Sequence, residues 1–176
     1  KNEQDLADQI KAEVQRLIPE MGLAVKASEK IIHATINHPA LARGDALVIS
    51  GTVSGAPSKE IAVWILGDHF HSHHTAQVGP DNTFHYRLPP EVSERMETGQ
   101  YYAVLQHPME NGRFDVFQVA SGGEILVKNT VDGRSFNLEG KDALGGKKAV
   151  EALEGMFKTE HIDDISLTLP FFIQDP

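Results

Sequence analysis

Apolar and polar residues alternate in short bursts from residue 31 onward. The segments IIHATIN (31–37), ALVISGTV (46–53), EIAVWIL (60–66), HFHSHHTAQV (69–78), TFHYRL (83–88), QYYAVLQH (100–107) and RFDVFQV (113–119) each read as a strand, and EILVKN (124–129) as a further one. Between them stand turn-forming stretches: HPALARGD, SGAPSK, GD, GPDN, PPEVSERMETG and PMENG. Short strands at this spacing predict a mainly β protein, an antiparallel β-sandwich. The flanks read differently. Leu6, Ile10, Val14, Leu17 and Ile18 recur at three- and four-residue steps and Pro19 closes the run, which predicts a helix over 3–18 followed by a connector through residue 30. Near the C-terminus, Ala149, Val150, Leu153, Met156 and Phe157 form a helical stripe over 143–158, with Asp142 placed to cap it. ISLTLPFFI (165–173) alternates as a strand, and its Pro170 implies an edge or a bend. The division expected is a helix and connector over 1–30 and a sandwich domain over 31–176.

Turn chemistry carries the register. A tight turn at Gly67-Asp68 would pair Ile65 with Phe70 and Trp64 with His71. Ile61, Val63, Ile65 and Phe70 then share the core face, and Trp64, Leu66, His69, His71 and His73 the opposite, outward face. A loop at Pro80-Asp81-Asn82 would pair Val78 with Phe84, putting His85 on that outward face as well. Asn111-Gly112 predicts another hairpin, pairing Met109 with Phe114.

The chain of 176 residues has a formal charge of −9 and no cysteine. The acidic balance and scattered basic residues argue against nucleic acid as a partner. The missing thiols remove disulfides, thiolate catalysis and thiolate metal sites. No stretch of about 18 apolar residues is present, so no segment here is expected to span a membrane. The chain starts at Lys1 without a leader pattern and reads as a mature or excised form, with any anchor or targeting signal outside it.

Nine histidines are present, four of them between Gly67 and Gln77. An H-x-H pair on a strand holds two rings about 7 Å apart on one side, close enough to share an ion. His69, His71, His73 and His85 are therefore the candidate metal ligands, with Asp68 or His107 as a neighbouring third donor, and zinc, copper or nickel as the ions imidazole suits. His69 and His73 lie about 13 Å apart on a straight strand, too far to share one ion, so the bland alternative is a solvated strand face. Trp64 beside His71 is the candidate small-ligand or glycan surface. Asp163 and Asp164 in HIDD (161–164) are read as a turn or cap, with calcium as the alternative. GKDALGGKKA (140–149) has the glycine spacing of a phosphate loop but lacks the Lys-Ser/Thr that completes one, and reads as a lead-in to the helix. No catalytic set is identified.

VWILGDHF, VGPDNTFHYRL, the upstream SGAPS and the downstream TGQYYAVLQHPMENGRFDV, followed in order by GKDALGGKKAVEALEGMF and HIDDISLTLPFFIQDP, resemble a domain of predicted cell-surface proteins of methanogenic archaea. The resemblance spans residues 31–176. It implies an Ig-like, exported ectodomain, anchored by a segment beyond the C-terminal Gln-Asp-Pro. The role implied is structural or interaction-based, with other envelope proteins or surface glycans as partners. It carries no catalytic residues onto this chain, and the family shows an aromatic, Asn-containing segment where DHFHSHH stands here, so the histidine row is particular to this sequence.

Overall fold

The alternating segments do form strands. The computed structural model describes residues 31–54 and 59–176; the helix expected over 3–18 and its connector lie outside the described residues. The elements in chain order are β1 (Ile32–Ile36), β2 (Ala40–Ala42), β3 (Leu47–Val53), β4 (Glu60–Gly67), β5 (Phe70–Gln77), β6 (Thr83–Leu88), the short helix α1 (Pro90–Ser93), β7 (Gly99–His107), a 3-10 turn (Met109–Asn111), β8 (Val116–Ser121), β9 (Glu124–Asn129), β10 (Ser135–Glu139), α2 (Gly146–Phe157) and β11 (Ile165–Gln174). Two of these strands were not expected: β2, inside a stretch read as a separator, and β10.

The strands form three sheets, ordered β1-β3-β6, β2-β11-β7-β4-β5 and β10-β9-β8. The fold is mainly β, with sheets stacked face to face as in a β-sandwich. The five-stranded sheet is the middle layer. One of its faces carries Ile61, Val63, Ile65, Ala103 and Leu105, which pack against Leu47, Ile49 and Phe84 of the three-stranded β1-β3-β6 sheet. The other face carries Ala62, Trp64, Leu66 and Val104, which pack against Val116 and Val127 of the third sheet and Ala149 and Leu153 of α2. Both faces of β4 are thus covered, and every residue from Ile61 to Gly67 is buried. Six consecutive apolar residues, IAVWIL, are what a strand needs when neither face meets water. Each large apolar side chain fully buried in this way contributes about 1.5–3 kcal/mol.

Four expectations are corrected. The β4–β5 turn is centred one residue later, at Asp68-His69: Gly67 pairs with Phe70, Trp64 with His73 and Ile65 with Ser72. Each β4 residue therefore meets a β5 residue two positions further on, so the faces are unchanged. Second, β5 and β6 do not form a hairpin ladder. Gly79 N–H donates to Thr83 O at the connection, and β6 crosses into the other sheet to pair with β3, Ser50 opposite His85. Third, Asn111-Gly112 does not close a hairpin; Met109–Asn111 form a 3-10 turn, and β8 starts only at Val116, in a different sheet from β7. Fourth, Asp142 does not cap α2. The helix begins later, with Gly145 in the N-cap position. The hairpin tip explains the glycines there: a Cβ on Gly145 would strike the Asp68 carbonyl oxygen. Pro170 sits where β11 has β7 as its sole strand neighbour among the described residues, just before the parallel pairing with β2 begins at Phe172. The proline falls on the edge-like half of the strand, as expected.

Candidate functional site

The β5 alternation sends His71 and His73 to the same side as Trp64 and Leu66. That side is covered by α2 and the third sheet, so the imidazoles lie in a layer boundary instead of facing open solvent. Trp64 is fully buried and Phe70 half-buried. The tryptophan therefore presents no exposed platform to a glycan. The His73 ring packs on it, centroids 4.1 Å apart and tilted by 51°. The His73 Nε2 is buried without a hydrogen-bond partner among the described residues. Burial drives this imidazole down to about 4, with adjacent His74 adding a smaller repulsion, so at neutral pH it is uncharged. His71 Nε2 lies 3.2 Å from Glu139 Oε2, while its Nδ1 is buried with no partner among the described residues.

The other two candidate ligands are elsewhere. His69 stands in the turn, exposed, with Nδ1 3.0 Å from Glu97 Oε2. The Glu97 carboxylate raises its pKa, through the hydrogen bond first and charge second. His85 belongs to the opposite outer sheet, exposed, with Nδ1 3.0 Å from Ser50 Oγ. The row His69, His71, His73 and His85 is thus split among a turn, a covered strand face and a second sheet. Beside His71 and His69 a cleft of about 500 Å3 opens at the β4–β5 tip, also lined by Asp68, Glu139 and Gly145.

A second cluster lies at the far end of the same covered face, and the turn reading of HIDD understated it. Trp64 Nε1 donates to Gln106 Oε1 at 2.9 Å. Gln106 Nε2 donates to Val116 O at 2.9 Å and to Asp164 Oδ2 at 2.6 Å. The Asp115 backbone N–H also donates to Asp164 Oδ2, at 2.8 Å. This chain of bonds ties β4 and β7 of the middle sheet to the start of β8 and the entry to β11. Asp164 is 3% exposed and its Oδ1 has no partner among the described residues. Burial raises its carboxyl to about 7, opposed by the bonds from Gln106 and Asp115 and helped by the nearby Asp115 and Asp163 charges. Asp115 is also raised, by burial first and then by Asp163. Among the described residues, the imidazole and carboxylate groups close enough in threes to hold one ion are Asp115, Asp163 and Asp164, with one oxygen of each within 4.8 Å of the others.

His107, named at the sequence level as a possible third donor to the histidines, belongs to this end. It is fully buried, accepts from Met109 N–H at Nδ1 over 2.9 Å, and feels the Asp163 charge. The convergence of Asp115 with Asp163 and Asp164 spans nearly fifty residues of chain, and no local spacing encodes it. No protein-family model matches the chain, and no curated protein matches it.

Proposed function

We propose that this chain is a non-catalytic, Ig-like structural or interaction domain of an archaeal cell-surface protein. The observation that carries the reading is the buried bond network of Trp64, Gln106 and Asp164, which Gln106 and Asp164 extend to Val116 and Asp115 at the start of β8, in the next sheet. The Trp64 indole N–H and the Gln106 amide are bonded internally, and buried networks of this kind favour a single rigid arrangement. The resemblance of residues 31–176 to archaeal surface domains supports the address. The test is accessibility on the cell. Antibody raised against the folded chain should label intact methanogen cells that carry it, and surface crosslinking should join it to another envelope component. Labelling that requires lysis overturns the reading.

A histidine-based metal site is the second reading. What favours it is the pair of buried, unpartnered imidazole nitrogens, His71 Nδ1 and His73 Nε2, on one strand face. Stoichiometric zinc, copper or nickel uptake by protein purified without a metal column, abolished in His71→Ala, would establish it. Loose uptake of several ions that His71→Ala leaves intact would remove it.

A further inference from the structure

We propose that Asp115, Asp163 and Asp164 form a calcium-type cation site that clamps the β7–β8 connection to the segment entering β11. Three carboxylates converge here from two separate parts of the chain, one oxygen of each within 4.8 Å of the others. They differ in exposure: Asp164 is buried, Asp115 intermediate and Asp163 exposed. That gradient gives an ion a route in and a solvent side on which water completes its shell.

The independent observation is Asp164 itself. Its side chain is buried in this cluster with Oδ2 engaged and Oδ1 without a partner among the described residues. Buried carboxylate oxygens are normally bonded, so one left without a partner is a place for a ligand. Among the described residues no Lys or Arg pairs with any of the three acids. The positive groups that do reach them are dipolar. Asn111 Nδ2 donates to Asp163 Oδ1 at 3.0 Å and to Asp115 Oδ2 at 3.5 Å. The imidazole near Asp163, His107, uses Nδ1 as an acceptor, so in its neutral form Nε2 bears the proton and is no ligand.

Three converging carboxylates favour calcium over magnesium: calcium accepts many carboxylate oxygens in flexible geometry, whereas magnesium keeps several waters and takes one or two carboxylates. All-oxygen donors also suit a hard cation and not the zinc, copper or nickel that imidazoles prefer.

The position suggests what the ion does. Asp164 holds Gln106, and Gln106 holds Trp64, so an ion on the aspartates would brace the bond chain that joins the layers.

The chain contains one tryptophan, and it is joined to Asp164 through Gln106, so terbium bound at the aspartates should luminesce when the protein is excited through Trp64. The experiment uses the full chain stripped with chelator. Expected are sensitised terbium emission, displaced by calcium, and one calcium per chain by calorimetry with a Kd of about 10⁻⁴ to 10⁻³ M, the weaker end of calcium sites. Asp163→Asn, at an exposed position, and Asp115→Asn should each weaken binding by about tenfold or more, with far-UV circular dichroism unchanged. Asp132→Asn, an acid in another turn, should not. Absent calcium binding, or binding that both cluster substitutions leave intact, overturns the proposal. Equal displacement of terbium by magnesium overturns the calcium assignment.

Discussion

Replacing His73 with phenylalanine should stabilise the protein in acid and change little at neutral pH. The imidazole lies against Trp64 with its Nε2 buried and unpartnered, and its pKa falls from 6.5 to about 4. The unfolded chain therefore binds more protons than the folded one in this window. Stability is fully present above pH 6.5 and is lost as pH falls toward about 4. The full difference corresponds to about 3.4 kcal/mol at about 1.36 kcal/mol per pKa unit. The ring is only partly buried, so solvent screening reduces this to about 1.5–2 kcal/mol. Asp164 acts in the opposite direction. Its carboxyl is raised from 3.8 to about 7, so the folded state binds the extra proton and stability falls as pH rises through that range. In the wild type the two slopes oppose each other. Phenylalanine keeps the ring against Trp64, removes the buried nitrogen and removes one slope. Urea unfolding in chelator, for both proteins at pH steps from 6.5 to about 4, gives the difference directly. The variant should gain about 1.5–2 kcal/mol relative to wild type by the acid end. A difference that stays constant with pH to within about 0.5 kcal/mol would refute the assignment of a depressed, buried imidazole.

Adding Asp164→Asn to the His73→Phe background should flatten the remaining decline in stability between pH 3.8 and about 7, measured by the same urea series. Trp64→Phe keeps most of the ring but deletes the donor to Gln106 Oε1; leaving that oxygen buried should cost about 1–3 kcal/mol, read from the denaturant midpoint. Gly145→Ala pushes a methyl group into the Asp68 carbonyl and should cost about 1–3 kcal/mol in thermal unfolding. Gly155→Ala, within α2 with open space around its Cβ, should stabilise by up to about 1 kcal/mol; equal behaviour of the two glycines would contradict the close packing of the hairpin tip on the helix start.

Most strand segments, though not β2 or β10, and the face shared by Ile61, Val63 and Ile65 were determined by the sequence alone. Alternation reports which side of a strand is apolar, and β4 and β5 show how robust that is: the turn moved one residue, each β4 residue met a partner two positions further along β5, and Phe70 still shares a face with Ile61, Val63 and Ile65. The run IAVWIL also carried, unread, the fact that both faces of β4 are covered, since a strand with one wet side alternates and this one does not. What covers a face is a different matter. That β6 leaves β5 for a separate sheet, taking His85 with it, and that β8–β10 and α2 close over Trp64, depends on pairings between distant strands. The same holds for the two sites. The candidate histidines are divided: His69 stands in the turn, His71 and His73 share a covered strand face, and a sheet crossing carries His85 away. Asp115 and Asp164 are far apart in sequence yet share a hydrogen bond. Local periodicity is set by the geometry of a single strand; which side chains meet across layers is set by how all the sheets pack to bury their apolar faces, and only the tertiary structure decides that.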